Sequence, residues 1–129
     1  MVDYRSLTGR QWEYGKQDCY TLVRDYFALA GVELPDFERP ANLQRTESIF
    51  LRHANALQFE EVAFNDRQEG DLLVMRLGTK APMHGAIYLK DDRILHQRMN
   101  SISAIEPLTR YYRDRVSVVY RHAIGHARR

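Results

Sequence analysis

The chain has 129 residues, 44% of them hydrophobic, and a net charge of +2, which is the size of one domain with a real core. Its single cysteine rules out an intrachain disulfide, so nothing points to an oxidising compartment. No apolar run reaches membrane-spanning length, and Met1-Val2-Asp3-Tyr4-Arg5 lacks the apolar stretch of a secretory signal, so synthesis in the cytoplasm without ordinary export is expected.

Residues 1–17 are polar and aromatic, with Trp12, Tyr14 and Gly15 near their end, and read as a short helix or loop that delivers the chain to Asp18. A helix is predicted over residues 19–30. Asp18 is a good N-cap, Leu22, Val23, Tyr26, Phe27 and Ala30 share one face, and Gly31 fits the position just past the end. Pro35 and Pro40 punctuate a loop over 31–40. A second helix is predicted over 43–57, with a less regular stripe of Leu43, Ile49, Phe50, Ala54 and Leu57. From Phe59 the pattern changes. Phe59, Val62 and Phe64 lead into a polar turn at 65–70, and short apolar runs follow at 71–77, 84–89, 93–97 and 116–121, with a further short strand near 102–105. Helices first and strands second predict an α+β fold with an antiparallel sheet. Arg110, Arg113, Arg115, Arg121, Arg128 and Arg129 crowd the end of the chain. Such a bias could favour an anionic cell-wall polymer or nucleic acid, but a solvated basic tail is the simpler reading.

Cys19 falls in the first turn of the first predicted helix. A thiol there feels the positive end of the helix dipole and the free N–H groups, and both favour the nucleophilic thiolate. A lone cysteine is as often a small buried hydrophobe. Position alone does not separate the two, and catalysis demands a histidine partner. His84 opens the run His84-Gly85-Ala86-Ile87-Tyr88-Leu89, and His96 lies in Ile94-Leu95-His96-Gln97. A hairpin turning at Lys90-Asp91-Asp92 brings the two histidines together at its open end, within reach of a helix N-terminus packed there. Cys19 then attacks, His84 exchanges the proton, and His96 accepts from the other ring nitrogen of His84. Gln97 is the neighbouring candidate for the third role, but strand alternation points it to the opposite face. Either histidine alone would more often be a surface group or a satisfied core group. His53, His122 and His126 receive no role. A metal site from Cys19, His84, His96 and Asp71 lacks the short paired spacings of zinc sites, and no metal is expected.

The ordered pieces Tyr14-Gly15 with Asp18-Cys19, Gly70-Asp71-Leu72-Leu73, His84 through Leu89, and Ile94-Leu95-His96 give the chain a resemblance. Over nearly its whole length it resembles the NlpC family of papain-like cysteine peptidases, which cut bacterial cell-wall peptides. Ile94-Leu95-His96-Gln97 and Val118-Val119-Tyr120-Arg121-His122 are similar in particular to the peptidase domain of tail-tip assembly proteins of lambda-like phages. The resemblance implies one domain over residues 1–129, with N-terminal helices packed on the antiparallel sheet. It implies Cys19 as nucleophile, His84 as base and His96 as third polar residue. Tyr14 matches a tyrosine whose hydroxyl faces the site, and the Cys19 N–H would be the other oxyanion donor. Gly70-Asp71 matches a structural turn into a core strand. Two departures stand out. Tyr20 replaces a serine common after the nucleophile and could line or narrow the groove. The metalloprotease-like domain that often precedes this one in the phage branch is not seen in these residues.

The implied reaction is hydrolysis of the amide between D-γ-glutamyl and a diamino acid in peptidoglycan stem peptides, with no cofactor. A phage tail component needs no signal peptide, because the virion carries it outside. The expected setting is therefore the virion tail tip, with other tail-tip proteins as partners and no nucleic acid. Two other readings stay open. One is a weakly active or inactive assembly or plug module, with Tyr20 or the loop 31–40 covering Cys19. The other is an acyltransferase or amidase on the same scaffold.

Overall fold

A computed structural model describes residues 2–39 and 48–123. Helix α1 spans Cys19–Leu29, one residue shorter than predicted. Its N-terminus is closed by the Asp18 carboxylate, which accepts from the Thr21 N–H at 3.0 Å. Its far end turns at Gly31, whose φ is +85°. There the Gly31 N–H donates to the Ala28 carbonyl and the Val32 N–H to the Phe27 carbonyl, the paired bonds of a Schellman end. Helix α2 covers only Ile49–His53, capped by the Ser48 hydroxyl, which accepts from the Leu51 N–H. The start predicted for it, residues 43–47, lies outside the described residues. The helix stops at His53, short of the predicted end at 57, because the chain must reverse: the Phe59 N–H donates to the Ala54 carbonyl and Gln58 takes φ +69°. This delivers Phe59 to the sheet, edge-on to Phe27 and His122.

Six strands follow: β1 Phe59–Val62, β2 Leu72–Met75, β3 His84–Leu89, β4 Arg93–His96, β5 Ala104–Pro107 and β6 Val116–His122. They form one sheet in the order β1-β6-β2-β3-β4-β5, with every neighbouring pair antiparallel. In the sequence β1 reads as a lead-in to the turn, β5 lies two residues later than the strand expected near 102–105, and α3, Arg110–Arg113, is a single turn too short to show an apolar stripe. Alternation along the strands splits the core. Leu72, Val74, Ile87, Leu89 and Leu95 pack with α1 and Phe50, while Leu73, Met75, Ala86, Ile94 and Val119 pack with Leu108 and Tyr112. Burial of both faces explains why β2 and β3 read as continuous apolar runs. Each such Leu or Ile contributes about 1.5–3 kcal/mol on burial.

The β3–β4 hairpin sets the site's register. Asp91 and Asp92 take φ +64° and +56°, a left-handed region that short Asp side chains tolerate. Asp92 is held by the Tyr88 hydroxyl at 2.8 Å and by Arg67 and Arg113. Ala86 then pairs with His96, which leaves His84 one diagonal step away on the same face. Of the basic residues near the end of the chain, Arg128 and Arg129 lie outside the described residues, but Arg121 is not part of a solvated tail. Arg121 donates through Nε and Nη2 to the fully buried Asp71, at 2.9 and 2.8 Å. Among the described residues, no helix is long and apolar enough to cross a membrane.

Candidate active site

Cys19 opens α1, is partly exposed, and lies on the wall of a cavity of about 270 Å³. Trp12, Tyr14, Met83, His84 and Gln97 share that wall. The cysteine Sγ–H points to the Met83 carbonyl at 3.6 Å, and the Gly85 N–H also bonds the sulfur. The sulfur therefore rests against the strand backbone on both sides of His84. There is no room for a side chain at Gly85, where a Cβ would come within 2.5 Å of the Phe50 ring of α2.

Burial pushes the Cys19 thiol up to about 11, against the lowering effect of the Gly85 and Tyr20 N–H groups. The expected preference for thiolate is thus corrected. The N–H groups act in the foreseen direction, but desolvation of the anion is larger. Burial, followed by the neighbouring His96 and Arg98, holds the His84 imidazole well below its ordinary value. The resting pair at neutral pH is a thiol and a neutral imidazole.

His84 and His96 meet as the hairpin register requires, with His84 Nε2 2.8 Å from His96 Nδ1 and the rings steeply tilted. His96 is fully enclosed, and its Nε2 bonds Oε2 of Glu106 on β5. The Tyr112 hydroxyl of α3 donates to the same carboxylate at 3.1 Å, and its ring stands edge-on to His96. Burial lowers His96, and the Glu106 bond opposes the shift. Burial alone would raise Glu106, but the bonds from His96 and Tyr112 outweigh it and hold the carboxyl below its usual range. Glu106 was not a candidate in the sequence, because nothing near Ile105-Glu106-Pro107 singles it out. The pairing of β4 with β5 would have found it. Gln97 takes no part in this chain, since its amide donates to the Arg10 and Ser101 carbonyls.

The other candidates divide. Tyr14 lines the cavity with its ring stacked on Trp12, and burial followed by Asp18 raises its hydroxyl, keeping it a donor. Tyr20 is buried rather than a lid. Its hydroxyl donates to the Pro35 carbonyl at 2.6 Å, its ring packs on Phe37 and Phe50, and Arg39 lies over it. It forms part of the cavity wall and anchors the 31–39 loop. Asp71 is taken up by Arg121. Among the described residues, no group of three or more His, Cys, Asp or Glu is arranged to hold a metal ion.

Cys19 at the start of a helix and His84 at the start of a strand line one cavity in an α+β frame, the architecture of a papain-like fold. The model of the NlpC/P60 family matches residues 8–121, and the chain belongs to that family. It is 38% identical over 117 residues to tail tip assembly protein K of Escherichia phage lambda, covering 90% of this chain and 59% of that protein. It is 26% identical over 121 residues to tail tip assembly protein K of Escherichia phage N15, covering 90% of this chain and 49% of that one. The chain spans about half the length of the curated relatives it matches. Among solved structures, an NLP/P60-family protein similar to lipoprotein from Staphylococcus aureus aligns with TM-score 0.64 and 22% identity, over 92% of this chain and 38% of that one. The NlpC/p60 domain of the peptidoglycan hydrolase SagA aligns with TM-score 0.61 and 13% identity, over 92% of each. These likenesses define the fold.

Proposed function

We propose that the chain is a cysteine endopeptidase domain that hydrolyses D-γ-glutamyl–diamino acid bonds in peptidoglycan stem peptides, as part of a phage tail tip that opens the cell wall. The observation that carries this reading is that Cys19 and His84 share one cavity while His84 is tied to His96 behind it. Because the thiol rests protonated and the imidazole rests neutral, proton transfer to His84 Nδ1 accompanies attack of the sulfur on the carbonyl carbon. The oxyanion is met by the Cys19 N–H and the Tyr14 hydroxyl. His84 returns the proton to the leaving amine, which departs with a free NH2. Water then attacks the thioester with His84 as base, and release of the acid restores the thiol. The tail-tip setting rests on the phage relatives, and it makes other tail-tip proteins the partners. The reading treats residues 1–129 as one domain.

The test is digestion of defined muropeptides with product analysis. The wild-type domain should release the diamino acid fragment, and Cys19→Ala and His84→Ala should not. A Cys19→Ala protein with full activity refutes the reading, and an acyl group found on an added amine instead of water makes the domain a transferase. A second reading is an assembly module with little turnover, since the Cys19 Sγ–H is turned to the Met83 carbonyl and burial raises the thiol. Absence of turnover on muropeptides that the folded wild-type domain binds would support that one.

A further inference from the structure

We propose that Glu106 is a fourth member of the site, a positioning residue whose carboxylate fixes the tautomer of His96 and, through it, that of His84. The proposal rests on His84 being the base of the peptidase reading. It deepens that reading by assigning the group that sets the base's proton.

The placement is geometric. His84, His96 and Glu106 stand on the adjacent strands β3, β4 and β5. Ala86 pairs with His96, and His96 pairs with Ala104. Each link of the chain is therefore one diagonal step across a strand pair on one face, which long side chains can span. The contacts follow that line from His84 Nε2 to His96 Nδ1 to His96 Nε2 to Glu106 Oε2.

The proton logic follows from these atoms. An ionised carboxylate can only accept, so His96 Nε2 must carry hydrogen. A neutral His96 then presents a lone pair at Nδ1. That lone pair can only accept, so His84 Nε2 must carry hydrogen and donate. His84 Nδ1 is left with the lone pair, which is the form able to take a proton from a thiol. Without the carboxylate, His96 can place its hydrogen on Nδ1 and donate to His84 Nε2. The hydrogen of His84 then moves to Nδ1 and the base is disabled. One carboxylate thus orders two buried rings in series. When His84 gains a proton during the reaction, the same negative charge lies behind His96 to stabilise it. Tyr112 supports the arrangement by donating to Glu106 from α3.

The experiment uses the full chain labelled with 15N-histidine, plus Glu106→Gln, which keeps the volume but can present either an acceptor or a donor. In the wild-type protein, nitrogen shifts should place hydrogen on Nε2 of both His84 and His96. In Glu106→Gln both rings should shift to mixed tautomers, and kcat on a muropeptide should fall on the order of tenfold with KM unchanged. That loss stays below the ~10²–10⁴ that a general base supplies. Wild-type His96 protonated on Nδ1, or unchanged tautomers in Glu106→Gln, overturns the proposal. The wild-type spectrum decides the matter even if the variant does not fold. The spectra also need no turnover. A protein that lacks hydrolysis but shows the expected tautomers and their loss in the variant fails the peptidase reading while sustaining the role of Glu106.

Discussion

The buried ion pair between Asp18 and Arg39 is the strongest single dependence of the nucleophile's position. Both side chains are almost enclosed, at 5% and 6% exposure. Arg39 grips the carboxylate through Nε at 2.7 Å and Nη2 at 3.0 Å, and also bonds the Thr21 hydroxyl. Asp18 in turn accepts from the Gly15 N–H at 2.8 Å and caps α1 through Thr21. Removing one partner of such a pair leaves the other charge stranded, which costs about 3–5 kcal/mol. Asp18→Ala also loses the helix cap, worth about 1 kcal/mol, so it falls at the top of that range or beyond. Arg39→Met falls near the bottom, because Asp18 keeps its N–H donors. The double variant strands neither charge. It should cost less than the sum of the singles by about 2 kcal/mol, within the range seen for residues in direct contact. Urea unfolding of the four proteins at pH 7 measures the cycle. A coupling below about 0.5 kcal/mol refutes the view that the pair, rather than the cap alone, holds the start of α1.

Gly85→Ala should destabilise by about 1–3 kcal/mol, because the new methyl meets the Phe50 ring at 2.5 Å and Leu72 at 3.2 Å. In a Phe50→Leu background the penalty should shrink, and an equal cost in both backgrounds would place the strain elsewhere. Stability should also rise with pH up to about 6.5. His84 and His96 are held neutral in the folded protein, so below their ordinary value of 6.5 the unfolded chain binds protons that the folded chain refuses. The slope is up to about 1.4 kcal/mol per pH unit for each histidine. Unfolding free energies between pH 5 and 7, with His84→Asn for comparison, measure it. A flat profile would mean that the rings are solvated.

Short-range chemistry made much of the protein readable in advance. The α1 cap at Asp18, the left-handed exit at Gly31 and the Asp91-Asp92 turn each depend on a few neighbouring residues. The turn carries the register that sets His84 beside His96, so that contact was legible as well. The antiparallel sheet followed from apolar runs separated by turn residues. What was not legible depends on parts distant in sequence. Glu106 joins the site only because β5 pairs with β4, and β5 is a short strand without an alternating pattern. Tyr20 was ambiguous until the loop carrying Pro35 and Phe37 folded over it.

The sequence by itself determined which residue types were available and how α1 and the β3–β4 hairpin would present them, because caps and turns act through bonds a few residues long. Only the tertiary structure decided the proton state of the site. Desolvation, the largest influence on Cys19 and His84 alike, is a property of everything packed around them, and no local pattern encodes it.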